Sequence, residues 1–477
     1  MVERMYDFDG GLADVERLEV LISSPLLRAV APALPAYGAT AHRASADPAA
    51  LVVVGAATVI CGSDRAADRE LRCHWVRIRK AFQAAGYRVG VQPIRTQTFR
   101  DYRDAVLSSG LPNDTKGTLR ELYIGLAKQI GLFPESDAPW NNPDLRGVVT
   151  SDGTWFAAAS QVRDQSESRS RLGNPRVIAD ADQGNKETSK GWGYMFCLTT
   201  VRGPAARQRV VLDVSYAPNS SEMDVVIPQV QRLRARLGDR FRCFVYDGAL
   251  RGVHHRAIRA AGVVSVTKPW GRRPVDYWKR YLGTPIGKAA KVVIPDTGCD
   301  QLHPLSVTAG MVWELERSAI GGFQHARVLD VADLRRSGSE AQGFVWEIDL
   351  IIRCDHGDHV LTLDPNSMHP CAKGAALINR TGTMPALDST VNLSEQLRMV
   401  QVHEDQFAKL YGVRNDSESG NKNAKYDFGL GQRSRSFNVV RHEIDMWLYS
   451  LLANALVWQE HCQREARSST RHLQAAA

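Results

Sequence analysis

Residues 241–248 read Phe241-Arg-Cys-Phe-Val-Tyr-Asp-Gly248, an apolar strand-like run that ends on Asp247. A helical stretch follows from Val253 to Ala261. Gly262 closes it, and Val263-Val-Ser-Val-Thr267 begins a second strand. Working backwards, Ser220, Ser221 and Glu222 carry helix-start signals, and the helix they open runs to Leu237-Gly238. Its apolar residues Val226, Val230, Leu233 and Leu237 recur at helical spacing. Before it come two more candidate strands, Gly191–Thr200 and Gln208–Ser215. A further short β-branched run, within Leu145–Thr154, ends in Asp152-Gly-Thr and leads into Trp155–Ser160. Asp180 and Asp182 lie in a polar, Gly-containing stretch and read as loop residues.

The order is therefore strand, strand, strand, helix, strand with Asp247, helix, strand. Three meandering strands followed by alternating strands and helices predict an α/β chain with a ribonuclease H-like mixed sheet. Asp152 and Asp247 then fall on neighbouring strands. Asp-Gly is also a common turn pair, so each aspartate has a plain turn reading beside the functional one. A third acid comes from the C-terminal part, where Tyr411, Arg414, Glu418 and Lys425 are spaced Y-x2-R-x3-E-x6-K. At about 100° per residue, these offsets place all four within roughly 60° of arc on one α-helix. A carboxylate can hold a divalent metal, and Arg, Lys and Tyr can grip phosphates. The plain alternative is a solvated helix face with scattered charge. Gly412, Gly420 and three Asn between Tyr411 and Asp427 are poor helix formers, which predicts an irregular or short helix there.

The spacing resembles the Y-R-E-K signature of bacterial cut-and-paste insertion-sequence transposases, the family numbered four, which carry a D-D-E catalytic domain. The contexts of Asp152 and Asp247 are similar to that family's first- and second-acid regions. The resemblance implies that Asp152, Asp247 and Glu418 hold two Mg²⁺ or Mn²⁺ ions, and that Tyr411, Arg414 and Lys425 touch the transposon end. It implies double-stranded DNA with transposon ends and target DNA as partners, a homodimer on paired ends, and a bacterial cytoplasmic, nucleoid-associated location. A metal-dependent DNA nuclease and a domesticated DNA-binding protein without strand transfer are the rival readings.

Charge points the same way. The chain has formal charge +8, yet residues 228–291 hold 15 Lys plus Arg against 3 acids, a local net of +12. Arg232, Arg234, Arg236, Arg240 and Arg242 open this belt, and Lys268, Arg272, Arg273, Lys279 and Arg280 extend it, with Trp270, Tyr277, Trp278 and Tyr281 interleaved. Such a belt suits a polyanion, and Arg232, Arg234 and Arg236 are the candidate DNA contacts on the helix. An ordinary basic protein is the plain alternative.

With 477 residues, two to four domains are expected. Residues 1–146 read as a mainly helical N-terminal domain, with a strong helix over Ala66–Ala85 and others over Phe99–Ser109 and Thr118–Ile130. Residues 147–269 form the first part of the core, and 270–395 a β-rich insertion. In that insertion, strand-like runs fall at 289–294, 306–315, 325–331, 343–352 and 359–363. Residues 396–465 complete the core with the third acid. There Phe437–Glu465 reads as a long amphipathic helix, with Val440, Ile444, Trp447, Leu448, Leu451, Leu452 and Leu456 as its apolar face and Asn454 as a polar exception. Residues 466–477 read as a flexible tail. No run approaches the roughly 18 to 20 apolar residues of a membrane span, and Leu51–Ile60 is too short for one. Eight scattered Cys suggest a reducing cytoplasm rather than a disulfide framework. Cys354, His356, His359, His369 and Cys371 are zinc-ligand types, but their spacing is not that of a standard finger and argues against a structural zinc. No Gly-rich phosphate loop with lysine and no Gly-x-Ser-x-Gly elbow is present.

Overall fold

The structure is a computed structural model that describes residues 11–37, 46–158, 181–186, 189–204, 208–269, 275–285, 292–295, 297–366, 376–378, 392–431 and 438–476. Asp180, Trp270, Arg272, Arg273, His369 and Cys371 lie outside the described residues.

It is a mixed α/β protein. Among the described residues six α-helices come first: α1 (Asp14–Ser23), α2 (Pro25–Val30), α3 (Pro48–Cys61), α4 (Asp64–Ala84), α5 (Thr96–Ala105) and α6 (Asn113–Gln129). Then follow β1 (Val148–Ala157), β2 (Asp182–Lys186), β3 (Ser189–Arg202), β4 (Arg209–Tyr216), α7 (Glu222–Leu237), β5 (Cys243–Val245), α8 (Gly252–Ala260) and β6 (Val264–Val266). After a 3-10 turn at Val275–Tyr281, the strands described are β7 (Val292–Ile294), β8 (Leu305–Thr308), β9 (Met311–Arg317), β10 (Phe323–Val328), β11 (Asp330–Ser339), β12 (Gly343–Cys354), β13 (Gly357–Leu363) and β14 (Ala376–Ile378). Helices α9 (Leu393–Gln396), α10 (Asp405–Gly412), α11 (Asn415–Lys422) and α12 (Val439–Ala476) complete the chain, with a π-helical turn at Asn423–Asp427.

Two compact units cut across the boundaries read from the sequence. One comprises residues 1–132, 151–225 and 416–477, the other residues 133–150 and 226–415. The N-terminal helices share a unit with the C-terminal helix because each supplies the apolar cover that the other needs. α3 is buried along nearly its whole length, and α12 packs on β4, α3 and α1. Leu51–Ile60 is thus a core helix, and no single helix among the described residues is long and apolar enough to cross a membrane. Ile444, Trp447, Leu448, Leu451, Leu452 and Leu456 of α12 are all buried. At about 1.5–3 kcal/mol per fully buried large apolar side chain, this stripe dominates the local energetics. Asn454, 0% exposed, donates to the Val211 carbonyl and accepts from the Val211 N–H, both at 2.9 Å. That satisfies both main-chain groups of a residue on strand β4. No Gly or Pro interrupts Val439–Ala476, and residues 466–476 continue α12 instead of forming the tail read from the sequence.

Within this first unit β2 and β4 both pair antiparallel with β3. Asp182, read as a loop residue, opens β2. Its Oδ2 accepts from the Tyr216 hydroxyl at 2.9 Å and from the Asn219 N–H at 3.0 Å.

In the second unit Val148–Thr150 of β1 pair in parallel with β5, which pairs in parallel with β6. The insertion forms two antiparallel sheets, one in the order β10-β9-β8-β7-β14 and the other β11-β12-β13. The run read at 306–315 is two strands. Ala309 (φ 57°) and Gly310 (φ 86°) turn it back on itself as a tight hairpin, which needs positive φ at both positions. Trp313 and Trp346, both fully buried, anchor this unit's core, and Trp140 meets Trp346 edge-on at 5.3 Å.

Candidate functional site

In the first unit, β1 carries Asp152 half-buried, directly after buried Thr150 and Ser151. Gly153 follows it, and a Cβ there would lie 2.5 Å from Cδ of Glu222, so a larger residue would push the end of the Glu222 side chain aside. The Glu222 carboxylate therefore sits beside Gly153, the residue after Asp152. From the sequence it was readable only as a helix-start residue.

The Asp152 Oδ2 accepts a hydrogen bond from Asn421 Nδ2 at 2.9 Å. Asn421 lies on α11, three residues beyond exposed Glu418. Its own Oδ1 is buried without a hydrogen-bond partner. Carboxylate and amide oxygens are hard donors of the kind Mg²⁺ or Mn²⁺ takes, but among the described residues the His, Cys, Asp and Glu side chains that gather closely enough to share one ion are Cys299, His303, Cys354 and His359, not Asp152, Asp247 and Glu418.

The single-helix stripe predicted for Tyr411–Lys425 is not what forms. α10 ends at Gly412, Val413 and Arg414 make a turn, α11 begins at Asn415, and Lys425 sits in the π-turn. The glycines and asparagines that lower helix propensity here are the physical reason. The π-turn is pinned by Asn423, whose Nδ2 donates to Asp427 at 2.8 Å and whose Oδ1 accepts from the buried Tyr449 hydroxyl at 3.0 Å. Lys425 is half-buried, with Nζ 5.7 Å from the Phe156 ring centroid. Burial pulls its pKa down, and the nearby Asp152 charge opposes that pull.

In the second unit, Asp247 is half-buried just past β5. Its Oδ1 accepts from the Ala249 N–H at 2.8 Å, and its main-chain carbonyl accepts from the Thr267 hydroxyl. The Asp-Gly turn chemistry and the strand end are thus both real. Tyr411 stacks on Phe407 with centroids 5.5 Å apart, and Lys268 Nζ lies 4.7 Å from the Tyr411 ring centroid. Arg414 is half-buried.

The basic belt divides into two kinds of arginine. Arg232 and Arg236 are exposed on α7. Arg234, read as a DNA contact, is 4% exposed. It bonds Asp239 and lies 5.3 Å from the Phe344 ring centroid, while Arg336 bonds the same Asp239 at 2.7 Å. Burial pushes the Asp239 carboxyl up, but the hydrogen bonds from Arg234 and Arg336 outweigh it and hold the group below its ordinary value. Arg234 faces the core because Leu233 and Leu237 on either side of it turn that face of α7 inward. Arg240 pairs with Glu135, and Arg242 bonds the Ala138 carbonyl.

The Cys and His residues also regroup. Cys354 and His359 are joined by Cys299 and His303, with one ligand atom from each lying within 4.8 Å of the others. His356 stands beside this set rather than in it. Its Nδ1 is 3.3 Å from Cys299 Sγ. Cys299-x3-His303 was missed because 50 residues separate His303 from Cys354, and no short motif spans that gap.

No family model matches the chain, and no curated protein matches it. Among solved structures it is similar to the cryo-EM structure of piggyBac transposase synaptic complex with hairpin DNA, at 7% identity and a TM-score of 0.34, covering 95% of this chain and 76% of that one. A likeness of that size defines no family.

Proposed function

We propose that this protein is a metal-dependent DNA transposase of the D-D-E type with a ribonuclease H-like core. Asp152, Asp247 and Glu418 would hold two Mg²⁺ or Mn²⁺ ions. The observation that carries the reading is the 2.9 Å hydrogen bond from Asn421 to Asp152, which ties the helix bearing Glu418 to the strand bearing Asp152. Antiparallel pairing in the first unit, parallel pairing in the second and the presence of β1 in both support a mixed sheet. Each aspartate also follows the paired residues Thr150 and Val245 by two positions.

The chemistry is in-line displacement at phosphorus. A water oxygen bonds to phosphorus, the bond to the 3′ oxygen breaks, and that oxygen leaves with a proton as a 3′-hydroxyl. In strand transfer the same hydroxyl attacks a target phosphodiester, and the target's 3′ oxygen leaves. The metals would supply nucleophile activation and charge stabilisation. Asn421 orients Asp152. Arg414 and Lys425 clamp phosphates, and Tyr411 hydrogen-bonds to the DNA end. Double-stranded DNA ends and target DNA are the substrates, held by a homodimer on paired ends.

The test is cleavage and joining of end-containing DNA in Mg²⁺. Asp152→Asn, Asp247→Asn and Glu418→Gln should each abolish cleavage while DNA binding survives, because a neutral amide does not replace an anionic ligand. Near wild-type cleavage by any one of them rejects the assignment. Cleavage without joining by the wild-type chain makes the protein a nuclease.

A further inference from the structure

We propose that Cys299, His303, Cys354 and His359 form a structural zinc site, independent of the transposase reading. Cys299 and His303 lie in the loop between β7 and β8. Cys354 and His359 come from the β12–β13 hairpin, whose two-residue turn Asp355-His356 brings them together. Two cysteines and two histidines are the donors of a closed tetrahedral zinc site.

The sulfur–sulfur distance matches that geometry, and the sulfur–nitrogen distance is somewhat shorter. Tetrahedral zinc, with Zn–S about 2.3 Å and Zn–N about 2.0 Å, sets sulfur–sulfur separations near ~3.8 Å and sulfur–nitrogen separations near ~3.5 Å. Cys299 Sγ and Cys354 Sγ are 3.9 Å apart, and Cys354 Sγ is 3.1 Å from His359 Nε2. The surroundings are those of ligands. His303 is 3% exposed, and its Nε2 is buried without a hydrogen-bond partner. Its Nδ1 lies 3.8 Å from the Glu314 carboxylate, on the side where a ligating histidine finds its acidic support. Glu314 is itself held by Arg327. The Gln301 N–H points at Cys299 Sγ at 3.4 Å, and the His356 ring approaches the same sulfur at 3.3 Å.

Zinc binding releases the two thiol protons to solvent and leaves no coordination position open, so the site has no catalytic vacancy. It joins the β7–β8 loop of the five-stranded sheet to the hairpin tip of the three-stranded sheet. A fold cross-link between two sheets of the insertion is its role.

The experiment measures metal in the full chain purified with zinc and then desalted. The expected result is one zinc per chain, retained by His356→Ala and reduced at least tenfold in Cys354→Ser and His303→Ala. Cobalt in place of zinc should show tetrahedral d–d bands and thiolate charge transfer in the wild-type chain and in His356→Ala. If the Cys354 or His303 variant does not fold, zinc competition between the wild-type chain and a chromophoric chelator decides. No zinc bound by the wild-type chain overturns the proposal, as does a Cys299–Cys354 disulfide in its place. Loss of metal from His356→Ala equal to that from Cys354→Ser overturns the assignment of the four ligands.

Discussion

Asn421 Nδ2 donates to Asp152 Oδ2 at 2.9 Å, across 269 residues of sequence. A hydrogen bond to a charged group contributes about 1.5–3 kcal/mol, so Asn421→Ala should slow end cleavage by roughly 10- to 150-fold. Asn421→Asp should be worse, because it sets a second carboxylate against Asp152. The measurement is single-turnover cleavage alongside the thermal midpoint. Wild-type cleavage by both variants would mean that this contact is only packing.

Lys425 and Arg414 are expected to hold phosphates at the DNA end, and neither is needed to bind metal. Lys425→Ala and Arg414→Ala should each cost roughly 10- to 150-fold on cognate-end DNA, with Tyr411→Phe costing less. Nicking of unrelated DNA should change little. Equal loss on both substrates, or no loss on either, would identify the Tyr-Arg-Glu-Lys spacing as accidental.

The arginines of α7 should separate by face. Arg232→Gln with Arg236→Gln should weaken DNA binding and lower its log–log salt slope by about 0.9 for each phosphate no longer neutralised, while leaving stability within about 0.5 kcal/mol. Arg234→Gln should instead destabilise by about 1–3 kcal/mol, since it leaves buried hydrogen-bonding groups unmet. Salt-titrated DNA binding and denaturant unfolding read the two effects. A salt slope unchanged in the double variant removes that face from the DNA-binding surface.

Burial raises the Glu404 carboxyl from 4.5 to about 7, against the Gln401 N–H, which lowers it. Below pH 4.5 the group is protonated in both the folded and unfolded chain, so this contribution to stability is fully present. As pH rises to about 7 the unfolded chain ionises first, and that contribution is lost. Glu404→Gln should flatten the pH dependence of the denaturation midpoint across this window. An identical profile in the variant would place the titration elsewhere.

Much of the fold is legible in local patterns. The Val226, Val230, Leu233, Leu237 periodicity gave α7, and the apolar face of α12 was readable residue by residue from Ile444 to Leu456. Even Asn454 stood out as a polar break in that face, although nothing local named Val211 as its partner. The break at Gly412 was foreshadowed by poor helix formers, but the π-turn after it depends on Asn423 meeting Tyr449.

The sequence by itself determined the strand–helix–strand order around Asp247 and the strand end there, because side-chain periodicity and turn chemistry act over a few residues; it missed β2 and stopped at Asp152-Gly-Thr a strand that runs on to Ala157. Only the tertiary structure decided that Arg234 points inward while Arg232 points out, that Asn421 reaches Asp152, and that Cys299 and His303 meet Cys354 and His359. Those pairings join distant residues. They are set by sheet register and by which apolar face each element must bury, and neither is written in any short stretch of chain.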